Sequence, residues 1–213
     1  MTRYDIAGLQ AALAAPTTAI RLRAALAAGT EPDARLLDAL LRRCRVEPDF
    51  YVRDMLTWAI TRQPASSTVP ALIAELDSPI PQARSQALHT LSKIGSAAAW
   101  PSVTRELLTD ADDEVARSAW RAAVILVPRG GEAALAEILA TQFGRGDGDL
   151  HRSLSRAFVE LGEAALPVVH RAARSADPVI RGHAVATEQV IADPESAFVF
   201  DVEQARRVAA LGE

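Results

Sequence analysis

Arg117 and Arg121, and again Arg152 and Arg156, stand four residues apart. On a helix that spacing puts both guanidinium groups of a pair on one face. A guanidinium fork grips a carboxylate through two hydrogen bonds, so such pairs suit an acidic peptide or protein segment. His89 and Lys93 share the same spacing, and Trp58 is an aromatic of the kind that anchors a partner. This is the chemistry of recognition, not of bond making. His89, His151, His170 and His183 lack the i, i+4 arrangement with carboxylates that marks a zinc helix. Asp147 and Asp149 lie in a glycine-rich loop, but the further ligands and closing glutamate of a calcium loop are missing. Cys44 is the single cysteine, which rules out an internal disulfide and a cysteine cage. No phosphate-cradling glycine loop follows a strand, and no nucleophile–base set emerges from spacing. The sequence therefore calls for no catalytic residue, no metal and no cofactor.

The 213 residues are half apolar, yet only 5% are aromatic, and alanine supplies about a fifth of the chain. Small apolar residues in that proportion suit helices packed at close range. Apolar residues seldom alternate with polar ones, so no sheet is expected. The net charge of −4 and pI near 5.6 argue against general nucleic-acid binding. Lys93 is the only lysine, a bias that a GC-rich genome explains. No apolar run reaches the ~18 residues that span a bilayer, and no charged-then-apolar export signal opens the sequence. A cytoplasmic protein with no membrane partner is the expectation; the oligomeric state is not readable.

Helices must position these groups. Around Pro81–Gly95, Ala83, Ala87, Leu91 and Ile94 form one apolar face, and Gly95 stands where a helix can end in the left-handed conformation. The apolar–Arg pair Ala83-Arg84 recurs. Marker arginines at 21, 53, 84, 117, 152 and 181 are separated by 32, 31, 33, 35 and 29 residues. The hydrophobic columns align better if Arg117 and Arg152 each sit one position late. Proline signatures recur at Val69-Pro70, Trp100-Pro101 and Leu166-Pro167. A period near 32 with two helices per repeat is a solenoid signature, because each hairpin alone leaves an apolar face bare. The expected architecture is all-α: a right-handed α-α superhelix in one domain, with helix pairs at 1–30, 31–64, 65–96, 97–130, 131–162 and 163–193 and a capping helix within 195–213. Positions one, two and five after the marker face an open groove. They are Asp54, Met55 and Trp58; Ser85, Gln86 and His89; Arg117, Ser118 and Arg121; and Arg152, Ser153 and Arg156. Trp100 and Trp120 fall at core positions.

Val69-Pro70 through Asp77, Ala83-Arg84, Ala87, Leu91 and Ile94-Gly95 resemble HEAT repeats, in particular the HEAT-like repeats named for phycobilisome lyases. Asp112–Leu126 and Asp177–Ile191 resemble them in part. The resemblance implies that second helices line the groove and that aspartates and arginines of neighbouring turns form ladders, with Arg84 and Arg181 as ladder residues. It implies a non-enzymatic scaffold for protein partners. Two alternatives share the architecture: a DNA-binding enzyme like the alkylbase DNA glycosylases, and a phycobilin-lyase-like chromophore binder. The first calls for a continuous basic groove that the acidic chain does not promise.

Overall fold

The computed structural model describes residues 5–193. Among these residues there is no strand, and helices follow one another in hairpins. None of them is long and apolar enough to cross a membrane. The capping helix expected within 195–213 lies outside the described residues. The helices fall into two compact units, one running to Leu126 and the other starting at Val127.

The first unit holds four hairpins: α1 (Ile6–Leu13) with α2 (Thr18–Thr30), α3 (Leu37–Cys44) with α4 (Phe50–Thr61), α5 (Ala65–Glu75) with α6 (Pro81–Ile94), and α7 (Arg105–Leu108) with α8 (Asp113–Leu126). The closing helices α2, α4, α6 and α8 lie side by side in that order. Aspartates start several helices by accepting orphan backbone N–H groups: Asp5 from Ala7 and Gly8, Asp49 from Val52, and Asp112 from Glu114 and Val115. Gly95 ends α6 at φ 66°, as its position predicts. Ala83 and Ala87 of α6 and Ala116, Ala119 and Ala123 of α8 are all buried, which lets these two helices pack along their whole length. Trp120 fills the space the alanines leave, and its indole N–H donates to the Leu108 carbonyl at 2.8 Å. Trp100 is half-buried.

Three stretches of the first unit have a local explanation. α5 begins at Ala65, so Ser67 and Thr68 are inside it, and their hydroxyls donate back to the Pro64 carbonyl. Trp100-Pro101 belongs to a 3-10 turn, Ala97–Ser102, and its opening helix α7 has only four residues. Gly29 lies inside α2, and a Cβ there would sit 2.2 Å from the Trp58 ring. The glycine is a seat for Trp58, not a cap. Gly29→Ala should therefore displace the Trp58 ring and destabilise the first unit. In a Trp58→Ala background the same change should stabilise by up to about 1 kcal/mol, the helix propensity of alanine over glycine. A thermal-melt double-mutant cycle reads the sign change.

The second unit pairs α9 (Glu132–Ala140) with α10 (Gly148–Leu161) and α11 (Leu166–Ala172) with α12 (Pro178–Ala192). Asp147 caps α10, accepting from the N–H groups of Asp149 and Leu150. Phe143 stacks on Phe158 with centroids 4.8 Å apart and meets His183 edge-on at 5.0 Å. Beside them His151 stacks on His183 at 4.1 Å. The histidines at 151 and 183 are thus packing residues, while His170 sits on the surface beside Glu188 at 3.0 Å.

Candidate functional site

One position sets the register of the closing helices, and an arginine occupies it in four of the six among the described residues. The fourth helical residue is Arg21 in α2, Arg53 in α4, Arg84 in α6 and Arg181 in α12. From there each guanidinium reaches back over the turn to carbonyls five or six residues earlier. Arg21 donates to Ala15 and Pro16, and Arg53 to Glu47 and Pro48. Arg84 donates to Ser78, and Arg181 to Ser175 and Ala176. The same position holds Ala116 in α8 and His151 in α10, so Arg117 and Arg152 are indeed one residue late and do other work.

Two of these arginines also bridge to the next hairpin. Arg21 holds both oxygens of Glu47 at 2.7 and 2.8 Å, and Arg84 holds both oxygens of Asp110 at 3.1 and 3.2 Å. Arg84 is thus the ladder residue its family resemblance implies. Glu47 is fully buried, takes a further bond from Arg43 at 2.7 Å, and accepts the Asp49 N–H. Burial works to raise its carboxyl, but the hydrogen bonds from Arg21, Asp49 and Arg43 outweigh it and hold the group below the usual carboxylate range. A second bridge joins the ends of opening helices, where Arg45 grips buried Glu75 at 2.5 and 2.8 Å. Cys44 is buried nearby; burial first, then Glu75 and Glu47, push its thiol up to about 12, so it stays protonated and unreactive.

With the register known, the solvent-facing column is the ninth residue of each closing helix. It runs Leu26, Trp58, His89 and Arg121 through the first unit, and Arg156 takes the place in α10. His89 and Arg121 meet directly, with Nη1 of the arginine 3.4 Å from Nδ1 of the histidine. Burial lowers the proton affinity of His89; Arg121 and Lys93 lower it further, and Asp54 opposes them. A neutral imidazole with Nδ1 free to accept from Arg121 is the outcome. Lys93, one turn beyond His89, is exposed. The structure thus brings Arg121, His89 and Lys93 together on one face of the first unit, with Asp54 close enough to be felt. Trp58 lies on that face one helix further back, 37% exposed, its ring against Gly29.

Arg117 is turned along its own helix toward Glu114 at 2.6 Å. In the second unit Arg152 pairs in the same way with Asp149, and Arg156 is exposed one turn on. Two residues of this face escape a reading of the sequence that starts at the second hairpin. Leu22 and Leu26 occupy the fifth and ninth positions of α2, and Leu26 is 40% exposed. Counting the same offsets from Arg21 finds both.

Residues 37–125, α3 through α8, match the family model of HEAT repeats. No curated protein matches the chain. Among solved structures, the karyopherin Kap121p, bound to the extreme C-terminus of the protein phosphatase Cdc14p, superimposes with a TM-score of 0.61 at 19% identity. The match covers 88% of this chain and 23% of that one. The CpcE–CpcF complex of phycocyanin lyase from Nostoc sp. PCC7120 follows with a TM-score of 0.51 at 17% identity, covering 90% of this chain and 78% of that one. At these identities the likeness is one of fold, that of helical repeat solenoids. Family match, hairpin register and all-helical architecture agree over residues 37–125: that stretch, α3 through α8, is built of HEAT repeats.

Proposed function

We propose that this protein is a non-enzymatic scaffold that binds an acidic peptide or protein segment on the exposed face of its closing helices. Arg117, Arg121, His89, Lys93 and Trp58 form the binding face of the first unit, and Arg152 and Arg156 give α10 the same character. The observation that carries the reading is the meeting of Arg121, His89 and Lys93 in a chain whose net charge is −4. Burial first, and then the charges of Arg121 and Lys93, disfavour protonation of His89, and a carboxylate bound there would offset those two charges. The karyopherin of similar fold was solved with a protein segment bound, and a protein segment is the partner proposed here. The net charge of −4 disfavours the DNA-enzyme alternative, whose affinity would come from neutralising phosphates.

The test uses a fluorescein-labelled peptide of alternating Glu and Ser and a DNA oligonucleotide of similar length. The peptide should bind, and the double variant Arg121→Glu/Arg156→Glu should weaken it at least tenfold, on the order of 1.4 kcal/mol, with helicity by circular dichroism unchanged. Unaltered affinity in the double variant, or tighter binding of the oligonucleotide, overturns the proposal.

A further inference from the structure

We infer that the binding face of the first unit is divided, and that its partner is a segment with a bulky apolar block about six residues from its acidic block. The inference rests on the scaffold reading above and specifies the partner further. The fifth and ninth residues of the closing helices show the division. They are Leu22 and Leu26 in α2, Asp54 and Trp58 in α4, Ser85 and His89 in α6, and Arg117 and Arg121 in α8. At the ninth position the side chain changes from aliphatic through aromatic to imidazole and guanidinium across four adjacent helices; at the fifth, Asp54 is acidic and Ser85 is buried, so the ninth position carries the division.

The apolar half is built, not incidental. Leu22, Leu26 and Gly29 fall at i, i+4 and i+7 of α2 and so share a stripe. Gly29 is where the Trp58 ring lies, so the missing Cβ sets the indole down against α2, one turn from Leu26 along that helix. On α4, Tyr51, Met55 and Trp58 are spaced for one stripe, and Tyr51 is 72% exposed. Leu26, Trp58 and Tyr51, exposed on two adjacent helices beside a charged surface, are residue types from which a binding hot spot can be built. The cationic half selects carboxylates by charge, so one partner must satisfy both.

The separation of the two halves sets the partner's spacing. Packed helices stand about 8–10 Å apart, so α8 lies two intervals, roughly 16–20 Å, from α4 across α6. An extended peptide advances about 3.3 Å per residue. Bridging Trp58 and Arg121 therefore takes about five or six residues. A helical peptide, at about 1.5 Å per residue, would need roughly twice as many.

Fluorescence anisotropy with three labelled peptides tests this: a four-glutamate block alone, the same block joined to Leu-Trp-Leu through six Gly/Ser residues, and the same blocks joined through one. The six-residue linkage should bind about tenfold or more tighter than the glutamate block alone, and the one-residue linkage should lose that gain. Leu26→Ser should remove the gain; the residue is half in solvent, so the fold survives its exchange. Trp58→Ala should remove it as well. If the glutamate block binds and the apolar block adds nothing, or adds the same at either spacing, the division is wrong and the scaffold reading stands. If neither block binds, both fall.

Discussion

Glu47→Ala is expected to lower the stability of the first unit by about 3–5 kcal/mol, the largest single effect among the polar residues. The carboxylate is fully buried, and Arg21, its main partner, is 4% exposed. Removing the acid leaves a guanidinium charge without its counter-ion in a place water does not reach, and that stranded charge supplies most of the loss. Replacing the pair together, Arg21→Met with Glu47→Leu, should cost less than the single change, because neither charge then needs solvating. The residual cost is the Ala15 and Pro16 carbonyls that Arg21 serves. Asp110→Ala should cost less again, about 1–2 kcal/mol, since Arg84 and Asp110 keep 17% and 14% of their side chains in solvent. Urea denaturation of the four proteins ranks them. Equal losses for Glu47→Ala and Asp110→Ala would contradict the burial argument. The pH dependence has a definite sign. The folded-state affinity of Glu47 for a proton lies below its unfolded value, near 4.3. Its contribution is therefore complete above that value and is lost as pH falls through the folded-state pKa.

The repeat and its register are legible in the sequence because they are written in residue types that recur. The arginine at the fourth helical position appears in α2, α4, α6 and α12, and where it is absent the apolar columns still reveal that Arg117 and Arg152 stand one residue late. Glu47 is a different case. It is a turn residue paired with an arginine 26 residues earlier, and by composition it resembles any solvated linker acid. Asp110 stands at the same distance from Arg84, but the intermediate position, 26 after Arg53, is Pro79. A ladder with a missing rung has no period to detect. Gly29 misleads for a related reason. A glycine at the end of an apolar run reads as a stop, and only the neighbouring helix shows that its missing Cβ makes room for Trp58. His89 meeting Arg121 follows from helical counting alone. The ion pairs of Arg117 and Arg152 do not, since i, i+3 acids on a helix face solvent as readily as they face a partner.

Acidification from about pH 6.5 to pH 4 is expected to cost the second unit up to about 3 kcal/mol through His183 alone. Burial, and next the neighbouring His151, lower its pKa from 6.5 to about 4, against an opposing hydrogen bond to the His151 backbone. A folded-state pKa below the unfolded one means that the unfolded chain takes up a proton that the folded chain refuses. Stability is therefore full above 6.5 and declines as pH falls toward 4, by about 1.36 kcal/mol for each pH step of one between those two values. The geometry explains the refusal. Nδ1 accepts the Gly144 N–H at 3.1 Å, so the neutral ring carries its proton on Nε2, which faces the His151 carbonyl at 3.0 Å and Ser155 Oγ at 3.3 Å. Thr187 gives its hydroxyl proton to the His183 carbonyl at 2.9 Å, so the Ser155 hydroxyl donates to Thr187 across 2.7 Å. Every donor in this chain meets an acceptor only while the imidazole is neutral. A second ring proton would point Nδ1–H at the Gly144 N–H, donor against donor, and break the tie between the α9–α10 loop and α12. His183→Asn keeps an acceptor for Gly144 and removes the titration, so its stability should be flat across this range relative to the parent protein. Amide exchange at Gly144 gives the local readout: protection should fall with pH in the parent and hold in the variant. An identical pH slope in both proteins would show that His183 does not hold the loop.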